Sequence, residues 1–251
     1  MFMRSPLDQF EMKPLFTMNN ILTLSITNFV MYVLIVVGII YATRILLPMN
    51  NNNVKLGLNR WSLVLLAIND TILNMVKSQM GIKGEKYFPL MFSLFNFILI
   101  ANLISMIPYS FAMSAQMVAI ISLSLSLWLG LVMLGFSMHG WGFFALFVPS
   151  GTPLPLVPVL VTMEFLSYSS RAMSLGLRTS ANILSGHLLM LMLGSLMLNL
   201  MSTSMFGFMG GFIPAMGVVA IVMLEFAISM MQAYVFCILF SGYMKDSVYL
   251  H

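Results

Sequence analysis

Charged residues are what this sequence has least of. Only 7% of its 251 residues are Asp, Glu, Lys or Arg, whereas 60% are hydrophobic, and the mean hydropathy is +0.99. A soluble domain carries about 25% charged residues, so a water-exposed surface of this size is excluded. Between Lys86 and Glu164 there is no acid, lysine or arginine, which leaves room for more than two spans of ~20 residues each. Lipid is therefore the expected solvent for most of the chain.

Cysteine is almost absent, and the motifs of several site classes are missing. The single cysteine, Cys237, lies in an apolar run, so an intramolecular disulfide is excluded and an inert buried thiol is the favoured interpretation. Neither HExxH nor the phosphate-binding GxxxxGK[ST] occurs in the sequence. We expect the chain to bind no metal, cofactor, nucleotide or nucleic acid.

Apolar runs separated by clusters of turn residues predict an all-α membrane protein. Residues 1–19 are mixed and polar and are expected to form a tail, whereas residues 20–251 form a single membrane domain. About five membrane-embedded helices are expected, at 21–47, 88–107, 114–137, 159–201 and 215–244.

Residues 58–80 have a different pattern. Ile68, Ile72 and Met75 follow helical spacing, while Asp70 and Lys77 lie on the other face. This stretch is expected to be an amphipathic helix lying at the membrane interface. Positive residues favour the side from which a chain is inserted, and six of them cluster in and around this helix: Arg44, Lys55, Arg60, Lys77, Lys83 and Lys86.

The last two predicted helices are too long to cross a membrane upright. A helix over 159–201 is roughly 60 Å long, about twice the hydrocarbon thickness. It must therefore either break or lie steeply tilted. Gly207, Gly210, Gly211 and Pro214 turn the chain before the second helix, so the two helices are predicted to form a long, steeply tilted hairpin.

Ionisable residues at membrane depth are costly and usually functional, and the hairpin carries several. On the first helix one face holds Glu164, Arg171, Arg178, Asn182 and Ser185, and on the second one face holds Glu225, Ser229 and Gln232. Folding the helices antiparallel about residue 205 predicts three polar levels, namely His187/Glu225, Arg178/Gln232 and Glu164/Asp246.

These three levels suggest a proton path with a block in its middle. Histidine and glutamate can each take and release a proton, whereas an arginine keeps its proton. The pattern therefore predicts two half-pathways separated by Arg178. A mobile carboxylate on a partner could carry protons past it, neutral when facing lipid and ionised when opposite the arginine.

The segment SLGLRTSANILSGHLL, residues 174–189, resembles the signature helix of F-type ATP synthase subunit a in its mitochondrial form. The stretches LEFAI (224–228) and QAYVF (232–236) are similar to its last helix. Four further stretches resemble the fungal members of this family: SPLDQF (5–10), ANLISMIPYSF (101–111), FVPSGTPLPLVP (147–158) and MKDSVYLH (244–251).

This resemblance implies a proton-translocating subunit that is not an enzyme on its own. Arg178 matches the arginine that faces the c-ring carboxylates, and Asn182 and Gln232 match its polar neighbours. His187 and Glu225 match the half-channel open to the intermembrane space. The matrix half-channel is matched by Glu164 and Asp246.

The resemblance also implies the surroundings of the chain. The implied partners are the c-ring, other Fo membrane and peripheral-stalk subunits, and lipids, with protons as the transported ion. The implied location is the mitochondrial inner membrane, with the N-terminus in the intermembrane space and the C-terminus in the matrix.

A secondary transporter and a structural membrane subunit are the alternatives to this function. A secondary transporter usually has internal repeats and unwound helices, and no repeat is found. A structural membrane subunit would not need ionisable residues at matched levels. Individual roles stay open: Arg171 is either functional or structural, Asn182 and Gln232 could simply join helices, and Asp246 could anchor the interface. Gly176, Gly186 and Gly194 are predicted to permit close helix packing.

Overall fold

The computed structural model describes residues 10–17, 25–45, 60–107, 110–148, 154–203 and 210–249. Within these ranges the all-α membrane class is confirmed. The α-helices of the described chain are α1 Asn28–Ile45, α2 Arg60–Met80, α3 Phe88–Ser105, α4 Met117–His139, α5 Val157–Thr203 and α6 Phe212–Val248. Short 3₁₀ segments lie at Ile82–Tyr87, Met113–Ala115, Gly140–Phe147 and Leu154–Leu156.

Membrane-spanning capacity is concentrated in the last four helices. In the part of the chain that the structure describes, four stretches are long and apolar enough to cross a bilayer: Gly84–Ser105, Met117–Phe144, Val157–Ser202 and Phe212–Val248. The apolar part of α1, Asn28–Thr43, is shorter. Four full spans and one short one agree with the expectation of about five embedded helices.

The N-terminal region contains strands that the sequence pattern did not predict. Strand β1, Pro14–Thr17, pairs antiparallel with β2, Ser25–Thr27. The first predicted span therefore starts later than expected, at Asn28, whose N–H donates to the carbonyl of Lys13 at 3.1 Å. Isoleucine and threonine in β2 favour an extended backbone. Residues 1–9 and 18–19 of the predicted tail, and 21–24 and 46–47 of the predicted span, lie outside the described ranges.

Helix α2 has the two faces that its sequence predicts. Ile72, Val76 and Met80 are buried on one face, whereas Asp70 and Lys77 are exposed on the other. The helix begins at Arg60, and residues 58–59 lie outside the described ranges. Its position at a membrane interface stays a prediction.

Helix α5 does not break. It runs as one α-helix for 47 residues, which is roughly 70 Å. Pro158 lies in its first turn, where a missing N–H costs nothing. Helix α6 has 37 residues and begins at Phe212, three residues before the predicted start. Residues 204–209 of the predicted turn lie outside the described ranges.

The described chain packs as two compact units, each drawn from three separate stretches. The first lies within Met1–Arg44, Asn96–Gln116 and Thr179–Ala233. In its core Val36 of α1 packs with Ala101 of α3 and with Met113. A second cluster of the same unit joins Ala112, Ala115 and Ile183.

The second unit lies within Ile45–Phe95, Met117–Arg178 and Tyr234–His251. Its aromatic core consists of Phe143, Phe147 and Tyr168. Here α4 approaches α5 closely, because a methyl group at Gly176 would lie 2.5 Å from Ser124 Oγ and 3.1 Å from Ile121 Cα. The predicted role of Gly176 in close packing is therefore confirmed.

Candidate functional site

The first unit brings together the predicted pair of His187 and Glu225. Nε2 of His187 on α5 lies 4.0 Å from Oε1 of Glu225 on α6, and the two side chains are only 11% and 3% exposed. A shift of about 1 Å would bring these atoms to hydrogen-bond distance. Two groups that can each hold or release a proton thus face each other, as the antiparallel register predicted.

The polar atoms of this pair are buried among few hydrogen-bond partners. His187 Nε2 and both carboxylate oxygens of Glu225 make no hydrogen bond with the described part of the chain. Buried polar groups in proteins are usually paired, and those that are not commonly mark functional positions. The pair is therefore a candidate site for proton exchange rather than a structural clamp.

Gly186 makes the close approach of Glu225 possible. A methyl group in its place would lie 2.5 Å from Oε1, 2.7 Å from Cδ and 3.1 Å from Cγ of Glu225. Only glycine leaves room for the carboxylate beside the imidazole. At Gly194, one of the glycines predicted to permit close packing, such a methyl group would meet no described atom within 4 Å. The packing prediction for Gly194 finds no neighbour within the described chain and stays a prediction.

We expect Gly186→Ala to impair proton transport, because the added methyl group must displace the carboxylate of Glu225. A shift of about 1 Å in a reacting group can cost on the order of 100-fold in rate. The measurement is proton flux per assembled complex in membranes that carry the variant. Gly194→Ala, the same change further along α5, is the matched control and should leave the flux unchanged. Equal flux in the two variants would contradict the steric role.

A second polar group lies in the same unit around Gln232. Asn182 Nδ2 donates to Gln232 Oε1 at 3.3 Å, and Gln232 Nε2 donates to Thr179 Oγ1 at 3.2 Å. Two of the three side chains were predicted as site residues, but Thr179 was not. Its spacing of three residues from Asn182 is the signal that could have identified it. These hydrogen bonds join α5 to α6 beside the predicted arginine.

Asn102 is a further polar residue that the sequence analysis missed. It is 1% exposed, and its Nδ2 donates to the backbone oxygen of Ser229 at 3.2 Å. Its Oδ1 is buried without a partner in the described chain. The available signal was an asparagine inside the longest stretch without charge. Asn102 thus adds a third helix, α3, to the polar surroundings of α6.

The two predicted serines bind their own helices. Ser229 Oγ donates to the oxygen of Phe226 at 2.8 Å, and Ser185 Oγ donates to the oxygen of Asn182 at 3.0 Å. Such bonds satisfy a hydroxyl locally. The geometry brings neither hydroxyl to the His187–Glu225 pair.

The remaining predicted residues lie in the second unit. Arg178 and Glu164 are exposed on α5, and Asp246 is half-buried on α6. Arg171 lies with its guanidinium carbon 5.7 Å from the ring centroid of Tyr243, within the range of a cation–π contact. The predicted levels Arg178/Gln232 and Glu164/Asp246 stay predictions.

Several long apolar helices, two of which bring a buried histidine and glutamate face to face, define a class: multi-span membrane proteins with ionisable groups inside the membrane. Comparison with known proteins narrows this class. The family described as ATP synthase A chain matches residues 29–245. The chain therefore belongs to the ATP synthase A chain family, and the resemblance seen in its sequence is confirmed.

Fungal relatives cover almost the whole chain. ATP synthase subunit a of Debaryomyces hansenii is 70% identical over 247 residues, which are 98% of this chain and 99% of that protein. The Candida albicans protein of the same name is 64% identical over the same length, with the same coverage. The Saccharomyces cerevisiae protein is 53% identical over 255 residues, covering 100% of this chain and 97% of the relative.

Proposed function

We propose that this chain is the proton-translocating stator subunit of the Fo sector of a fungal mitochondrial ATP synthase, embedded in the inner membrane. The observation that carries the proposal is the facing pair His187 and Glu225, which is buried between two long apolar helices. Family membership and the fungal relatives support the assignment to this complex.

Protons enter along the His187–Glu225 pair. The imidazole and the carboxylate are close enough to pass a proton with a small movement. Protein surroundings can tune how strongly each of these groups binds a proton. The hydrogen-bonded group of Asn182, Gln232 and Thr179 continues along α5 and α6 from this pair. We therefore assign the first half-channel to this unit.

Arg178 separates the two half-channels. Its guanidinium keeps its proton, so no proton relay passes through it. An ionised carboxylate 4 Å from a positive charge gains about 4 kcal/mol at an effective dielectric constant of 20, but only about 1 kcal/mol in water. A carboxylate on the c-ring is thus held in its ionised form opposite Arg178 and becomes neutral where it faces lipid.

The surface of α5 around Arg178 suits contact with another helix. Arg178 is exposed on this helix, and its neighbour Leu177 is 41% exposed. Small exposed residues flank Arg178 at helical spacing, and small residues let helices approach closely; they are Ser170, Ser174, Ala181 and Ser185. These features support docking of the c-ring, with other Fo subunits and lipid covering the remaining surface.

Protons leave past Glu164 and Asp246. Both acids lie in the second unit, at the ends of α5 and α6 that are distant along the helices from His187 and Glu225. The contact of Arg171 with Tyr243 favours a structural role for this arginine in holding α5 to α6. The six basic residues between Arg44 and Lys86 support a matrix location for this stretch. Counting spans from there, the proposal includes an N-terminus in the intermembrane space and a C-terminus in the matrix.

His187→Gln tests the proposal, because glutamine keeps hydrogen-bonding capacity but cannot exchange a proton. We expect coupled proton flux per assembled complex to fall by about 100-fold, at the lower end of what proton-transfer groups contribute. The matched control is His139→Gln, at a histidine whose Nε2 lies 3.2 Å from the oxygen of Val248. Equal flux in both variants would reject His187 as part of the path.

A further inference from the structure

The segment before β1 reaches back to the His187–Glu225 pair. The ring of Phe10 meets the imidazole of His187 edge to face, with centroids 6.2 Å apart and an interplanar angle of 69°. This geometry is the one that aromatic pairs favour. Glu225 and Phe10 thus both contact the imidazole, one with a carboxylate and the other with a ring.

Phe10 is held in place through its backbone as well as its ring. Its carbonyl oxygen accepts a hydrogen bond of 2.6 Å from Nε2 of Gln116. Its ring packs on the buried cluster of Ala112, Ala115 and Ile183. The β1–β2 pairing and the bond from Asn28 to the oxygen of Lys13 fix the segment that follows.

We propose that Phe10 is a positioning residue that fixes the imidazole of His187 towards Glu225 and covers it, and that Gln116 holds Phe10 there. Phe10 exchanges no proton itself. The N-terminal segment thereby becomes part of the first half-channel, although it is far from His187 in the sequence. The expected effect on proton flux rests on the proposed function, whereas the positioning of His187 by Phe10 does not.

The ring contact sets the size of the expected effect. The interaction free energy of an edge-to-face pair is large enough to change the population of the oriented imidazole by about 2- to 10-fold. Phe10→Ala should therefore lower proton flux per assembled complex by that factor. Loss of the cover should raise the reactivity of His187 towards diethyl pyrocarbonate by about the same factor.

The test measures both quantities in membranes that carry the assembled complex. Reactivity is read by mass spectrometry as modification of His187 relative to His139, an internal reference in the same chain. Gln116→Met removes the donor to Phe10 without touching His187, and it should change both readouts in the same direction. It keeps the proposal testable if Phe10→Ala does not assemble. Phe212→Ala, at a phenylalanine that is 60% exposed at the start of α6, is the matched control and should change neither readout.

The outcomes are separable. Lower flux with unchanged His187 reactivity would mean that Phe10 acts on the fold in general and would overturn the proposal, as would unchanged flux and reactivity. Because Phe10 and Gln116 act through one contact, the double variant should be no worse than the more damaging single variant. Reactivity reports the cover over His187 whether or not His187 carries protons, so failure of the proposed function would appear separately, as full flux in His187→Gln.

Discussion

Arg178→Ala is expected to abolish ATP synthesis driven by proton flow while the complex still assembles. The side chain is exposed on α5, so its removal leaves no cavity in this chain. Without the fixed charge, an ionised carboxylate is no longer stabilised at this position, and the two proposed half-channels are no longer separated. Loss of one preorganised charge interaction costs at least ~100-fold in rate, and we expect a loss of that order in synthesis. The measurements are ATP synthesis and proton leak in membranes, with assembly checked by native gel.

Two control variants sharpen this experiment. Arg178→Lys keeps the charge and should retain part of the coupled transport, although lysine cannot bind a carboxylate with two parallel hydrogen bonds. Lys77→Ala removes a different cation, one that is paired with Glu85 at 3.2 Å on an exposed surface. Exposed pairs contribute little, so this variant should behave normally. Near-normal synthesis in Arg178→Ala would show that the arginine is structural.

Glu225→Gln should stop proton transport almost completely, because it removes the proton-accepting oxygen and changes almost nothing in shape. Glutamine fits the space beside Gly186 that the carboxylate occupies, so packing is preserved. Proton-transfer groups contribute typically 100- to 10,000-fold, and we expect a loss of about 100-fold or more in flux per assembled complex.

Glu85→Gln is the matched control for this substitution. The carboxylate of Glu85 is 51% exposed and pairs with Lys77, so the same chemical change there should leave flux intact. If Glu225→Gln retained more than half of the flux, the carboxylate would not carry protons. Comparison with Gly186→Ala then separates the chemistry of Glu225 from its position.

The pairing of α5 with α6 was predictable because two features of the sequence, its apolar runs and the positions of its ionisable residues, indicate the same arrangement. Long apolar runs with helical spacing gave the extents of α5 and α6 to within a few residues, and the positions of their ionisable residues gave the antiparallel register. The facing of His187 and Glu225 followed from that register. Helix length alone could not decide between a break and a tilt, because no residue within 159–201 signals either one.

Other contacts could not be predicted, because their partners are remote in the sequence. Asn102 binds the backbone of Ser229, and Gln116 binds the backbone of Phe10. A backbone acceptor has no residue type, so no pattern identifies it. The β1–β2 pairing was hidden for a related reason: short runs with apolar and β-branched residues are ambiguous between strand and helix.

The unbroken course of α5 limits how this protein can change during evolution. Because Glu164, Arg178 and His187 lie on one continuous helix, each residue inserted between them would turn every later side chain by ~100° and shift it by ~1.5 Å. Substitutions on its lipid-facing surface leave that spacing intact, but insertions and deletions do not. The helix thus fixes the distances and angles between these side chains. Selection on proton transport should therefore keep its length constant even where its residues vary.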